Sequence, residues 1–462
     1  MNKNRWFVLA VLLVSALVLA ACQPAAPTQP PAEEPMAACP DWSMMTPELE
    51  AACAGEYSGT VVTMTGPFVD ADEVLFNESV ASFEEATGID IQYTGTKEFE
   101  TIIGAAVDGG TPPDIADFPQ PGLLLRFVQG GQVADLTSVL NQDWLAQNYA
   151  QAWLDMSMMP GPDGEIMAGV WARFNGKSQV WYPKAAFDAA GYEVPETWDE
   201  LIALMDQIVA DGDTPWCIGI GSGAATGWPA TDWMEEFMLR TTSLENYDNW
   251  SFPATPADRL PFTAPEVKAA AERMSEIWFN DEYVLGGTAA IATTDFDVAP
   301  LPMFEDPPRC WLHKQGNFIT AFFPEDAVAG EDYDFFYLPG IDPQYGSPYL
   351  IAGDIYAMFN DRPEVRAVMD FFSRGESLRT WLANGGALSP HNDTSLDWYG
   401  DDVERKIAEL VRGADAVRFD GSDLMPAAVG VGSFWKGMTD YVSGTVDLDT
   451  ALAEIDAAWP TE

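Results

Sequence analysis

Trp228, Asp232 and Trp233 fall within six residues of one another, directly after a run of small residues from Gly221 to Gly227 that includes Ser222. Two indole faces and a carboxylate at that spacing suit a carbohydrate. A sugar ring offers an apolar C–H face for stacking and a belt of hydroxyls for charge-assisted hydrogen bonds. The small residues leave backbone N–H groups open to a ligand. The apolar run ending at Ile220, which empties into them, has the pattern of a short buried strand. A plainer reading uses the same residues: a tryptophan-rich loop packed into a core, with Asp232 as the N-cap of a helix that begins Asp232-Trp233-Met234-Glu235.

Other chemistries find little to build on. The chain of 462 residues has only two histidines, His313 and His391, too few for His-based metal sites or nucleophile triads. No Cys-x-x-Cys pair is present, so a zinc site is not expected. Glycoside hydrolysis needs two carboxylates at a fixed separation, and nothing singles out such a pair among 72 acidic residues. With 22 basic residues against those 72, the formal charge is −50, a field that repels nucleic acid and anionic lipid. No cofactor or metal is expected, and no nucleic-acid partner. Aromatic residues are numerous, 17 Trp and 14 Tyr, and most are expected in the core.

The elements that must position these groups alternate from Gly59 onward. Thr60 to Met64 reads as a strand. Asp72 can cap a helix with Phe76, Val80 and Phe83 on one face, ended by Gly88, and Ile89 to Tyr93 is a second strand. Glu98 to Val107 is helical, Pro112-Pro113 breaks it, and Asp114 to Asp117 is a third strand. Such alternation marks a parallel sheet wrapped by helices, whose ligands sit beyond the carboxyl ends of the strands. Those ends are Thr65-Gly66-Pro67, Thr94 to Glu98, and Phe118 to Gly122, which includes Gln120. A second series starts near Lys177, with a strand at Ser178 to Tyr182 and a capping-box spacing at Thr197 to Glu200. Trp311 to Phe323 is apolar around Gln315-Gly316-Asn317. Tyr349 to Phe359 is a strand-like run interrupted by Gly353-Asp354, as a crossover between lobes would be; Asp354 also suits a turn there.

Ahead of these elements lies an address. Lys3 and Arg5 precede an apolar run from Trp6 to Ala21 that stops at Cys22 and is short for a membrane span. Residues 1–21 read as a secretory signal. The sequence Leu19-Ala20-Ala21-Cys22 resembles the lipobox of bacterial lipoproteins, which implies that Cys22 carries lipid and anchors the chain to a membrane. Gln23 to Pro35, rich in Pro, Ala and Gln, reads as an extended tether. Four cysteines remain, and an even remainder in an exported protein suggests disulfides. Cys39 and Cys53 enclose a short acidic segment and are paired on that ground, leaving Cys217 with Cys310.

Several further stretches carry a family resemblance: Phe83 to Gly88, Pro113 to Ala116, Val180 to Tyr182, Pro195 to Leu201 and Gly432 to Trp435. Together with the lipobox they are similar, in order, to the family 1 extracellular solute-binding proteins of ABC sugar importers. Phe118 to Gly122 and Ala225 to Trp233 look most like the alpha-glucoside-binding group. The resemblance implies a two-lobe, periplasmic-binding-protein-like α/β fold with a hinge and a ligand cleft between the lobes. The implied product is a monomeric, non-enzymatic lipoprotein on the extracytoplasmic face of the bacterial cell membrane. It would hand an alpha-glucoside or small oligosaccharide to permease subunits. A peptide or polyamine binder, or a secreted glycoside hydrolase, stays open as the alternative. Residues 22–58 are expected as tether and disulfide loop, 59–175 with 348–405 as one lobe, and 176–347 with 406–462 as the other. By matched position, Glu98 and Phe118 to Gln120 look like contacts of the first lobe. Trp228, Gln315, Asn317, Phe318 and an exposed stacking platform at Trp435 look like those of the second. Thr65, Ser222, Asp232 and Asp354 complete the candidate set. Lys177 joins it near a position that is acidic in the maltose-binding relatives.

Overall fold

The computed structural model describes residues 39–460; the expected signal, Cys22 and tether lie outside them. Strands are β1 (Val61–Gly66), β2 (Asp90–Gly95), β3 (Ile115–Phe118), the hairpin β4 (Met158–Gly161) and β5 (Gly164–Met167), and β6 (Val170–Gly176). They continue with β7 (Gln179–Tyr182), β8 (His313–Lys314), β9 (Asp334–Tyr337), β10 (Tyr349–Met358) and β11 (Val417–Phe419). The helices that frame the site are α1 (Pro47–Cys53), α2 (Ala71–Thr87), α3 (Phe99–Asp108), α4 (Pro121–Gln129), α5 (Trp198–Ala210), α6 (Trp228–Thr241), α7 (Pro265–Trp278), α8 (Gly421–Leu424) and α9 (Trp435–Val442).

A six-stranded sheet runs in the order β11-β10-β3-β1-β2, with β6 also paired to β10. β1 lies parallel to β2 and β3, as the strand–helix alternation predicts. β10 is antiparallel to both β3 and β6. β3 is buried along its whole length, as expected of a strand covered on both faces. The first core packs on this sheet, with Val62, Met64, Phe76, Ile115, Phe118 and Phe372 buried. Gly88 closes α2 in the left-handed region at φ +70°, where it lacks a Cβ penalty.

The second core gathers around the three-stranded sheet β8-β7-β9 and around α5, α6 and α7. The Thr197–Glu200 capping box forms at the start of α5. Two compact centres, each built on its own sheet, are the two lobes of the α/β fold. β11 comes from the 406–462 segment expected with the second lobe, yet it pairs with β10 of the large sheet.

Several local expectations change. β10 is one continuous ten-residue strand, fully buried; Gly353-Asp354 makes no break or turn, and the register against β6 shifts between Asp354 and Ile355. A strand bulge satisfies the ladder on either side of it, so the chain need not leave the sheet. The run through Ile220 forms no strand and is held by single bridges, Trp216 to Val284 and Leu312, and Gly221 to Asp295. Asp72 does not cap α2: Asp70 holds that position, and the Asp72 side chain turns inward to Arg173. Both disulfides form as paired, Cys39–Cys53 and Cys217–Cys310, with Cα atoms 5.6 and 5.5 Å apart. Among the described residues, no helix is long and apolar enough to cross a membrane.

Candidate functional site

The start of α6 places the first pair of groups. Trp228 and Asp232 are four residues apart and so share one face of the helix, which lines a cavity of about 140 Å³ between the two sheets. Trp233, one residue on, rotates to the far face. It is buried in the second core against Trp216 and Trp278, with ring centroids 5.0 and 5.6 Å away. Asp232 is therefore an interior helical residue, not an N-cap; Gly227 holds the cap at φ +115°. A Cβ on Gly227 would lie 2.3 Å from the Trp435 carbonyl oxygen, so glycine is required for α6 and α9 to meet.

β6 supplies the opposite wall by its period of two. Arg173 and Asn175 near its end and Lys177 just beyond it, alternate residues, all line the cavity. Arg173 donates from Nε to Asp354 at 2.8 Å and from Nη2 to Asp72 at 3.3 Å. Its guanidinium lies 4.1 Å from the ring centroids of both Phe68 and Trp381. Lys177 Nζ donates to Asp232 at 2.8 Å and to Asp420 at 2.6 Å, and sits 5.4 Å from the centre of the Trp228 ring. Asp420 is fixed in turn as the cap of α8, where it accepts from the Asp423 N–H and the Ser422 hydroxyl.

Burial dominates the electrostatics. It pushes the Asp232 carboxyl up to about 7 against the pull of Lys177, and Glu100, bonded to Gln120, also to about 7. Burial likewise raises Asp72 and Asp354, although Arg173 pulls both down. Burial opposes the charge on Lys177, but Asp232 and Asp420 more than offset it and hold its ammonium well above the usual range. Asp232, Glu235 and Asp420 each bring an oxygen within 4.8 Å of the others, the spacing of a cation site. The Lys177 ammonium already sits against two of the three and supplies the positive charge there.

Of the sequence candidates, Gln120, Lys177, Ser222 and Trp228 line the cavity, as do Asp232, Phe318, Asp354 and Trp435. The others do not. Phe118 is fully buried in the first core against Phe99, Phe127 and Phe359. Asn317 braces the backbone, accepting from the Gly176 N–H and donating to Glu404. Gln315 bonds the N–H of Gly316. Thr65 sits on β1 without reaching the cavity, and Glu98 lies outside it, accepting from the Ala224 N–H. Trp435 is not an exposed platform: it is only 3% exposed, and its Nε1 donates to Ser422 at 3.4 Å. Its ring forms part of the wall.

Sequence reasoning missed Arg173, Asn175, Phe68, Phe296, Asp420 and Ser422, all of which line the cavity. The alternation Arg173-Phe174-Asn175-Gly176-Lys177 was a usable signal for the first two. The others depend on contacts between distant segments, as when Phe296 packs on Trp228 at 5.1 Å.

Five buried side-chain atoms that belong to cavity-lining residues have no hydrogen-bond partner among the described residues: Asp72 Oδ1, Gln120 Oε1, Arg173 Nη1, Asn175 Oδ1 and Asp232 Oδ2. Each such atom left unpaired costs about 1–3 kcal/mol.

A family model described as bacterial extracellular solute-binding protein matches residues 65–384. The osmoprotective compounds-binding protein GgtB of Synechocystis is 42% identical over 406 residues, covering 88% of this chain and 94% of that one. The alpha-glucosides-binding periplasmic protein AglE of Rhizobium meliloti is 42% identical over 411 residues, covering 87% and 88%. The solved structure of the bacterial solute receptor AcbH superimposes with a TM-score of 0.72 at 19% identity, over 87% of this chain and 98% of that one. With its two lobes, the cavity between them and a family match over most of its length, this chain belongs to the bacterial extracellular solute-binding proteins.

Proposed function

We propose that this chain is the substrate-binding component of an ABC importer, which captures a small neutral carbohydrate of the alpha-glucoside class and delivers it to permease subunits without altering it. The observation that carries the reading is the make-up of the cavity lining. Gln120, Arg173, Asn175 and Asp232 line it beside the rings of Phe68, Trp228, Phe296 and Trp435. Sugar hydroxyls both donate and accept, and the C–H face of a pyranose covers an aromatic ring. A relative named for alpha-glucosides supports the same class.

Trp228 is a cleaner probe than Trp435, because it is only half-buried and its loss perturbs the core less. Covering its indole is worth about 1–3 kcal/mol, so Trp228→Ala should weaken sugar binding roughly ten-fold or more. Calorimetric titration with glucose, trehalose, sucrose and maltose checks this, with the sugar recovered intact afterwards. Undiminished binding by the variant, or hydrolysis that scales with protein, would sink the reading.

A cationic solute such as a polyamine is the second reading, because carboxylates outnumber cations in the wall. Arg173 and Lys177 already engage Asp72, Asp354, Asp232 and Asp420, which favours the neutral guest. Spermidine that displaces a bound sugar at equal concentration would reverse that preference.

The lipobox supports anchoring through Cys22 on the extracytoplasmic face of the membrane. Cys22→Ala should move the protein from the membrane to the soluble fraction, and retention in the membrane would refute the anchor.

A further inference from the structure

The rim of the cavity carries a bridge between the lobes. Lys97 follows β2 of the large sheet, and its Nζ lies 2.6 Å from Asp297 Oδ2. Asp297 belongs to the loop that Asp295 ties to Gly221 on the other lobe. The Lys97 ammonium also stands 5.6 Å from the centre of the Phe296 ring, which lines the cavity with it. The next residue, Glu98, crosses the same gap and accepts from the Ala224 N–H at 3.2 Å. The loops touch along this line: a Cβ on Gly223 would stand 2.9 Å from Glu98 Oε1 and 3.3 Å from Lys97 Cβ.

The space behind this bridge is small. One water needs about 10–15 Å³ of such room, so 140 Å³ holds on the order of ten waters. At about 30 Å³ of liquid volume per water, that is the bulk of a disaccharide and short of a trisaccharide.

We propose that the Lys97–Asp297 ion pair is a specificity-determining bar across the cleft mouth, which admits a monosaccharide or short glycoside and stops longer saccharides from projecting through the rim. The inference rests on the carbohydrate reading above. Both partners are partly shielded, with side chains 28% and 12% exposed, so the pair is screened by salt less than an open surface pair. Because it joins the two lobes, it also stabilises the arrangement in which they meet, and short ligands held between them gain from that.

The test is a chain-length series of glucose, maltose, maltotriose and maltotetraose, titrated calorimetrically into the wild type, Lys97→Ala, Asp297→Ala and the charge swap Lys97→Asp/Asp297→Lys. The wild type should bind the first two and discriminate against the longer pair by at least ten-fold. Each alanine variant should lose that discrimination while binding the short sugars a few-fold more weakly, and the swap should restore it. A wild type that takes maltotetraose as tightly as maltose would overturn the inference. So would alanine variants that keep the wild-type length profile while remaining folded by circular dichroism. Failure of the wild type to bind any sugar would overturn the carbohydrate reading and this inference with it. Normal short-sugar binding with an unchanged length profile would overturn this inference alone.

Discussion

Lys177→Met should destabilise the empty protein by about 3–5 kcal/mol at pH 7, because it leaves Asp232 and Asp420 buried without their counter-ion. Methionine matches the aliphatic stem, so little of the loss comes from packing. The effect has a definite pH dependence. Burial already holds Asp232 above its ordinary 3.8, whereas Lys177 holds Asp420 below it; with Lys177 gone, burial drives Asp232 further up and pushes Asp420 upward as well. A carboxyl raised in the folded state lends stability below its unfolded value and loses it as pH rises. The defect should therefore be smallest near pH 4 and grow toward pH 7. Urea denaturation at both pH values measures it. Adding Asp232→Asn should cost less in the Lys177→Met background than in the wild type, because in the variant the second change removes a stranded charge. Additive effects, or a defect independent of pH, would show that the ion pair is not what Lys177 contributes. Sugar affinity should fall by ten-fold or more in the same variant, since Lys177 and its partner Asp232 both line the cavity.

Removing the Cys217–Cys310 disulfide should be about as damaging. Its partners are 93 residues apart, and a loop of that length restricts the unfolded chain by about 4–5 kcal/mol, against about 3 for the 14-residue separation of Cys39 and Cys53. The paired change Cys217→Ala/Cys310→Ala is preferable to serine, which would strand hydroxyls in a site where both cysteines are buried. The bond also serves the cavity. It ties the segment that leads into Ser222 and Trp228 to the segment that leads into Phe318, and His313 reinforces the join through Nδ1 at 2.8 Å from the Cys217 carbonyl. Loss of the bond should loosen that wall and weaken sugar binding several-fold, whereas Cys39→Ala/Cys53→Ala should leave affinity unchanged. A Cys217/Cys310 variant no less stable than the Cys39/Cys53 variant would contradict the loop-length argument.

The first three strands of the large sheet were legible because their signals are local. The alternation in β1, the glycine stop at Gly88 and the double proline before β3 act within a few residues of where they stand. The capping box at Thr197 and Glu200 is legible for the same reason. Phe118 illustrates the limit. Its place at a strand end marked it as a contact, but strand ends have two faces, and packing against Phe99 and Phe127 turned its ring into the core.

From the sequence alone followed the strand–helix alternation of β1 to β3, the disulfide pairs, the family and eight residues of the cavity wall: composition, spacing and motif order are properties of the chain itself. Only the tertiary structure decided which charges meet. Arg173 finds Asp354 across 181 residues, and Lys177 finds Asp420 across 243. Periodicity says which residues of an element share a face, but not which face of another element will cover it. Where burial and charge pairing decide protonation, as at Asp232, or where a single interior turn sends Trp228 to the cavity and Trp233 to the core, the outcome belongs to the packed molecule.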